Sequence, residues 1–390
     1  MFVYLLCFAE ILSMAGTMYF PALLVSFQSQ WGISNTEAGW INGIFFAGYA
    51  VASPVLVGLT DRVDPRRIYL PSALLGAVSM ILFGVLATGT WSAALIRLLA
   101  GVSLAGTYMP GLKALSDQVT GPKPSRPIVF YTASYGLGMA LSVFLAGFLD
   151  QAVGWQAGAI ILAGGPLAAM LMFAFVVPKQ KPAYRQTDLR FSLADLDAII
   201  RNKRVMGYIL AYSAHCWELF GFRSWLVAFL SFSLAFHSDI HFALNLQNMA
   251  MVVFLFGVLA SVLGNECAMK GKRQQIVSLY MLVSGLLACV IGFLADLQPI
   301  IVLTLVFIYG ITTMSDSGAL TAGIVAESDE KKRGLTLAVY SFLGFFMAFL
   351  APLCFGVILD AAGGIWGWGM AFAALGIVCM LGSLSLRLLR

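Results

Sequence analysis

His215-Cys216-Trp217-Glu218-Leu219-Phe220-Gly221-Phe222-Arg223 lies inside an apolar run from Val205 to about Leu230. A run of that length can cross a bilayer, which takes about 20 mostly apolar residues. Three ionisable side chains inside it are costly. A charge at the bilayer centre costs about 2.5–3.5 kcal/mol on insertion scales. Such groups are retained where they face a protein-lined cavity or one another. The stretch therefore predicts a membrane span and a functional site together.

The whole chain has the same character. Of its 390 residues 60% are hydrophobic and 11% charged, with mean hydropathy +0.90. Soluble domains run at about 45–50% apolar and about 25% charged. The composition places the chain in a membrane, as a multi-pass protein. The net charge of +5 is no nucleic-acid signal, because the basic residues fall in short connections. The six cysteines form no CxxC pair and read as small buried hydrophobes. The N-terminus has no basic flank and Glu10 interrupts its apolar run, so it reads as a span and not as a cleaved signal.

Twelve helical spans are expected, at about Phe2–Leu24, Ala38–Leu59, Ile68–Ala87, Trp91–Leu115, Ile128–Leu149, Trp155–Val177, Val205–Leu230, Leu246–Leu263, Ile276–Ala295, Ile300–Val325, Leu335–Leu359 and Trp366–Leu386. The even-numbered connections carry Arg62, Arg66 and Arg67; Lys123 and Arg126; Lys179 to Arg204; Lys270, Lys272 and Arg273; and Lys331, Lys332 and Arg333. The odd-numbered ones hold acids and no Lys or Arg: Glu37, Asp150, Asp239, Asp296 and Asp360. The positive-inside rule then puts both termini in the cytoplasm.

The longest connection divides the chain into a six-helix bundle over 1–177, a linker over 178–204 and a second bundle over 205–390. Within the linker, Ser192-Leu-Ala-Asp195 looks like a capping box. Leu193, Leu196, Ile199 and Ile200 follow at helical spacing, predicting a short amphipathic helix on the cytoplasmic face. A weak repeat relates the halves. Gly58-Leu-Thr-Asp61-Arg62-Val-Asp64-Pro65-Arg66-Arg67 ends span 2, and Gly264-Asn-Glu266-Cys-Ala-Met-Lys270-Gly271-Lys272-Arg273 ends span 8. Parallel six-span repeats are one architecture of secondary transporters.

The first of these loops resembles the signature of the major facilitator superfamily, roughly G-x-x-x-D-R-x-G-R-R, through Asp61, Arg62, Arg66 and Arg67. It departs at Val57, where the family has Gly, and at Asp64-Pro65, which replace one Gly. The second copy keeps Gly264, Gly271 and Arg273 but has Ala268 at the acid position. The resemblance implies a cytoplasmic latch in which Asp61, Arg62, Arg66, Arg67, Gly271 and Arg273 take part in gating. On span 4, Arg97 and Gly101 match the family's R-x-x-Q-G, with Ala100 departing. In the family this Arg serves proton coupling or anion binding, often with an acid on span 1, here Glu10. The Gly-Pro pair that drug–proton antiporters carry on span 5 is absent, although Gly136, Gly138 and Gly147 are there.

The ionisable residues deep in spans are Glu10, Arg97, His215, Glu218, Arg223 and Asp316, on spans 1, 4, 7 and 10. In the superfamily those four spans line the central cavity. On span 7, His215, Glu218, Phe222 and Trp225 share a face at helical spacing, with Arg223 about 140° round from Glu218. A histidine one turn from a glutamate suits a proton site. Proton coupling is therefore assigned to Glu10, His215, Glu218 and Arg97. The substrate cavity is expected to include Arg97, Arg223, Asp316, Trp217, Trp225, Tyr19 and Asn42. The polar run Thr312 to Ser317 on span 10 is expected to face water or a partner, with Gly310 and Gly318 permitting a bend.

The expected function is secondary active transport of a small solute across a bacterial inner membrane by alternating access, proton-coupled, with a small organic anion as the substrate class because two arginines face the expected cavity. Arg223 reads equally as counter-ion to the acids. Two alternatives stand beside this. One is a copper importer, from the soft ligands Cys7, Met14, Met18 and His215-Cys216. The other is a drug efflux antiporter. Enzyme motifs such as HExxH, GxSxG or a P-loop are absent from the sequence, and a resident metal or cofactor is not expected. The partners expected are the solute, protons and the lipid bilayer, with no nucleic acid, for a monomer.

Overall fold

The computed structural model describes all residues except 61, 119–124, 180–192, 238–244, 330–331 and 390. The described chain is helical. It runs α1 Phe2–Ser13, α2 Tyr19–Ala22, α3 Leu24–Trp31, α4 Asn35–Leu59, α5 Arg66–Leu86, α6 Thr90–Gln118, α7 Ser125–Val153, α8 Trp155–Leu162 and α9 Gly164–Val176. It continues with α10 Leu193–Arg201, α11 Lys203–Leu234, α12 Leu246–Lys270, α13 Arg273–Ile291, a 3-10 turn, α14 Pro299–Ser315, α15 Ser317–Glu327, α16 Arg333–Ala362 and α17 Gly364–Leu388.

Among the described residues ten helices are long and apolar enough to cross a membrane, taking α8–α9, α13 with its 3-10 turn, and α14–α15 as continuous. The other two expected spans are the ones that carry Glu10 and His215–Arg223. The first is broken into α1, α2 and α3. The second, α11, is 32 residues long and buried along most of its length, which is how it tolerates ionisable side chains without presenting them to lipid. Large apolar side chains lie outside instead: Phe175 is 87% exposed and Trp91 77%. Glu10, Arg97, His215, Glu218, Arg223 and Asp316 are all buried. That inverts a soluble protein and fits a hydrocarbon solvent.

The chain packs as two compact units: residues 1–33, 44–187 and 247–254, and residues 34–43, 188–246 and 255–390. In the first, Leu6, Tyr69, Ala73, Ala114, Leu115, Tyr131, Phe173 and Val177 form a core. Close helix approach there depends on absent side chains. A Cβ on Gly101 of α6 would stand 1.9 Å from the carbonyl oxygen of Phe45 on α4, so only glycine fits. In the second unit Ile199 of α10 joins Val205, Tyr208, Ile209, Val277 and Leu320 in a core. A linker helix thus forms where the sequence predicts one, with Ile199 packed into this core and Ile200 exposed. Its expected capping residue, Ser192, lies outside the described residues.

The start of α4, within the second unit, is doubly capped. Ser34 and Glu37 make a capping box: Ser34 N–H donates to Glu37 Oε2 at 2.9 Å and Glu37 N–H to Ser34 Oγ at 3.2 Å. Asp360, near the end of α16, supplies the rest. Its carboxylate accepts from the N–H groups of Asn35 at 3.1 Å and Thr36 at 2.7 Å, and from Asn35 Nδ2 at 2.8 Å. A carboxylate here meets the unpaired N–H groups and the positive end of the helix dipole. Asp360→Ala is expected to cost about 0.5–2 kcal/mol, the range for losing a helix cap. Thermal unfolding in detergent measures this, and a variant as stable as its parent would show that the contact carries no energy.

Candidate functional site

The break in the first span includes one missing donor. Pro21 has no N–H, so the carbonyl of Thr17, four residues earlier, loses its helical donor. The helix stops at Ser13 and residues Met14–Met18 run as turns. Two side chains from other helices satisfy the freed backbone. Arg97 Nη1, on α6, donates to Thr17 O at 2.9 Å. Ser142 Oγ, on α7, accepts from Met18 N–H at 2.9 Å and donates to Ala15 O at 2.8 Å. Irregular backbone at membrane depth is tolerated when it is buried in protein and repaired in this way.

Arg97 is only 4% exposed and its guanidinium carbon lies 4.3 Å from the centre of the Phe45 ring, a cation–π contact. Its Nε is buried without a hydrogen-bond partner. The expected pairing with Glu10 is not made: among the described residues no acid lies within the 4.0 Å ion-pair distance of Arg97. The Thr17 carbonyl has taken its place. A small pocket of about 10 Å³ beside Arg97, shared with Gly16, Tyr19 and Ser79, has room for about one water molecule.

Glu10 is fully buried. Its Oε2 accepts from the Tyr131 hydroxyl at 3.0 Å and lies 3.4 Å from Ser13 Oγ, while Oε1 has no partner. Glu218, in the second unit, is held in the same manner. Its Oε2 accepts from Ser284 Oγ at 3.0 Å and Oε1 has no partner. Neither glutamate has a cation within ion-pair distance among the described residues.

His215 does not face Glu218 as its neighbour on the helix. Its Nδ1 lies 2.8 Å from Asp316 Oδ1, with both side chains 1% exposed. Asp316 stands where α14 gives way to α15, so span 10 breaks at the acid itself and not at Gly310 or Gly318. The hydroxyls around it bond within their own helix. Thr312, Thr313 and Ser315 donate back to carbonyls of their own helix, a habit that satisfies them and bends helices. Arg223 Nη2 lies 3.4 Å from Met314 Sδ.

The expected cavity aromatics each make a hydrogen bond to another helix. Trp217 Nε1–H donates to Ala374 O at 3.2 Å and Trp225 Nε1–H to Pro352 O at 3.1 Å. Tyr19 donates to Trp155 O. All three are buried, because an apolar ring with one donor is well suited to bolting helices together. Asn42 differs. It is fully buried, and neither its Oδ1 nor its Nδ2 has a partner. A buried polar group left unsatisfied is an exception in native structures.

Of the expected gating residues, Asp61 lies outside the described residues. Arg66 donates to Val177 O at 2.9 Å and Ala174 O at 2.7 Å, closing the end of α9. Arg273 reaches Ala322 O at 3.4 Å. Arg66 thus places a cation on the C-terminal carbonyls of α9, whereas Ala322 lies in the middle of α15. Gly271 sits beside Ile276. Arg62 and Arg67 are exposed and, with Arg66 and Lys179, line an open cavity of about 480 Å³.

Known proteins bear on this arrangement. The family model of the Major Facilitator Superfamily matches residues 6–352. A protein named probable L-galactonate transporter, from Escherichia coli, is 22% identical over 91% of this chain and 82% of its own length. The niacin transporter NiaP of Acinetobacter baylyi is 24% identical over 41% of this chain and 36% of its own. Among solved structures, a bacterial homologue of the human lysosomal transporter spinster, in an inward-facing and occupied conformation, superposes with a TM-score of 0.78 at 14% identity, covering 99% of this chain and 96% of that one. The copper reading finds no support among them. Met14 and Met18 are themselves buried core residues.

The repair of the broken span is testable. Ser142→Ala leaves Met18 N–H and Ala15 O buried without partners, at an expected cost of about 1–3 kcal/mol. Ser142→Thr, which keeps the hydroxyl, is expected to cost less. Detergent melting curves compare them, and equal stability of the alanine variant and its parent would contradict this account.

Proposed function

The chain belongs to the Major Facilitator Superfamily, and on that premise we propose that it is a proton-coupled secondary transporter of a small organic carboxylate. The observation that carries the proposal is a mismatch of buried charge. Arg97 is a buried cation with no acid in ion-pair distance among the described residues, and Glu10 and Glu218 are buried acids with no cation. Uncompensated charge in a low-dielectric interior is expensive. The missing partners are then what the protein moves: a carboxylate for Arg97, and protons for the two glutamates.

Arg97 is suited to the first role. A guanidinium presents donors in a fork that matches a carboxylate. Nη1 is occupied by Thr17 O, while Nε has no partner. The relatives support this substrate class, since L-galactonate and niacin both carry a carboxylate. For Glu10 and Glu218, proton uptake is tied to whether water reaches the carboxyl, because burial offers no cation to offset the charge. The His215–Asp316 contact is assigned to holding α11 against the break between α14 and α15.

The proposal includes twelve crossings with both termini in the cytoplasm of a bacterial inner membrane, following the alternation of basic and acidic connections. Residues 1–177 and 205–390 would rock about a midplane site. The test is a competition panel in proteoliposomes. Galactonate, nicotinate and related small carboxylates are expected to compete for uptake, and their neutral amides are not. Arg97→Gln is expected to weaken the effective carboxylate by about 10- to 100-fold, the value of a charge-assisted hydrogen bond. Competition by neutral or cationic compounds alone, or an unchanged Arg97→Gln variant, would sink the substrate class.

A further inference from the structure

Tyr131 is placed to do more than hold Glu10. Its hydroxyl lies 3.0 Å from Glu10 Oε2 and 3.2 Å from the backbone carbonyl of Tyr108 on α6. A phenol has one hydrogen to donate, so it serves one of these acceptors at a time. The oxygen is also pressed against α6. A Cβ on Gly111 would stand 2.1 Å from it, and Gly111 follows Pro110, which removes a helical hydrogen bond from this part of α6.

We infer that Tyr131 is a positioning residue that passes the protonation state of Glu10 to α6, the helix that carries Arg97. The inference rests on the proton coupling proposed above. With Glu10 ionised, the Tyr131 hydrogen points to Glu10 Oε2. When Glu10 takes a proton from a hydronium ion, one O–H bond of the hydronium breaks, one forms on the Glu10 carboxyl, and water is left behind. The carboxyl then donates to Tyr131 Oη, and the Tyr131 hydrogen turns to Tyr108 O. One proton is bound, the phenol keeps its own, and α6 gains a hydrogen bond next to its proline.

The surroundings leave Tyr131 as the hydroxyl in that position. The titratable groups around Glu10 are Cys7 on its own helix, Tyr49 on α4, Tyr69 on α5, Tyr108 on α6 and Tyr131 on α7. The packed helix α9 carries none. Ser13 Oγ donates to its own helix, to Glu10 O at 2.8 Å. Tyr69 is a buried phenol whose oxygen has no partner, which makes it a matched control. The second unit repeats the pattern. Ser284 Oγ lies 3.0 Å from Glu218 Oε2 and 3.3 Å from the carbonyl of Met281, again one hydrogen between a buried acid and a helix carbonyl.

Infrared difference spectroscopy of the full-length protein in nanodiscs, recorded on acidification, reads the carboxyl C=O band directly. Proteoliposome uptake over a pH series reads its consequence. Glu10→Gln is expected to remove one carboxyl band and so identify it. Tyr131→Phe is expected to keep that band but move its position and titration midpoint, and to displace the pH profile of uptake with it. Tyr69→Phe is expected to leave both as in the parent. A Tyr131→Phe protein whose band and pH profile coincide with the parent's overturns the inference. So does a Tyr131→Phe displacement of the pH profile that is the same in the Glu10→Gln background. A parent protein whose uptake ignores pH overturns the proton-coupling reading beneath it, which separates the two failures.

Discussion

Charge buried without its opposite is the constraint on which the rest depends. A low-dielectric interior does not forgive an unpaired ion: its desolvation cost stands unless a partner offsets it. Asp316 meets that condition in distance alone, with His215 Nδ1 2.8 Å away. Arg97, Glu10 and Glu218 do not meet it among the described residues, and each keeps one polar atom with no partner at all. A protein built only to be stable would have paired Arg97 with Glu10, on helices that already touch. A transporter gains from leaving them apart, because a fixed internal pair would compete with the solute and the proton for the same charges.

The break in the first span shows how such a separation is kept. Pro21 orphans the Thr17 carbonyl, and the carbonyl then occupies one arm of Arg97. Ser142 fastens the other loose ends. Arg97 is thereby both a structural donor and a candidate ligand, and its position depends on a backbone segment with no helical ladder of its own. Discontinuous helices at the site are a recurrent device of secondary transporters. Here a side chain from another helix makes good the missing N–H of Pro21.

Much of this was legible in the sequence, and the limit has a physical explanation. Apolar length and composition were enough for a multi-pass helical membrane protein. Glu10, Arg97, His215, Glu218, Arg223 and Asp316 stood out because each is expensive inside an apolar run, and all six are buried. Partners were another matter. Helical periodicity says which residues share a face but not which helix lies opposite. His215 and Glu218, one turn apart, therefore read as a pair, whereas His215 meets Asp316 and Glu218 meets Ser284. Trp217, Trp225 and Tyr19 read as cavity walls, and the hydrogen bonds by which they also tie helices together were not legible. Two signals were within reach. Pro21 announces an orphaned Thr17 carbonyl, and Ser34-Asn-Thr-Glu37 has the form of a capping box. Tyr131, Ser142 and Asp360 gave no local signal, since their roles exist only once distant helices are side by side.

The central claim is that buried charge left unpaired marks what is carried. Simultaneous recording of solute and protons tests it most directly, in proteoliposomes with a radiolabelled carboxylate outside and a pH-sensitive dye inside. The account predicts that carboxylate entry acidifies the lumen in proportion, and that Glu10→Gln with Glu218→Gln abolishes the proton signal while solute exchange persists. Solute entry that leaves internal pH unmoved and is indifferent to an imposed pH gradient, in parent and variant alike, would contradict it.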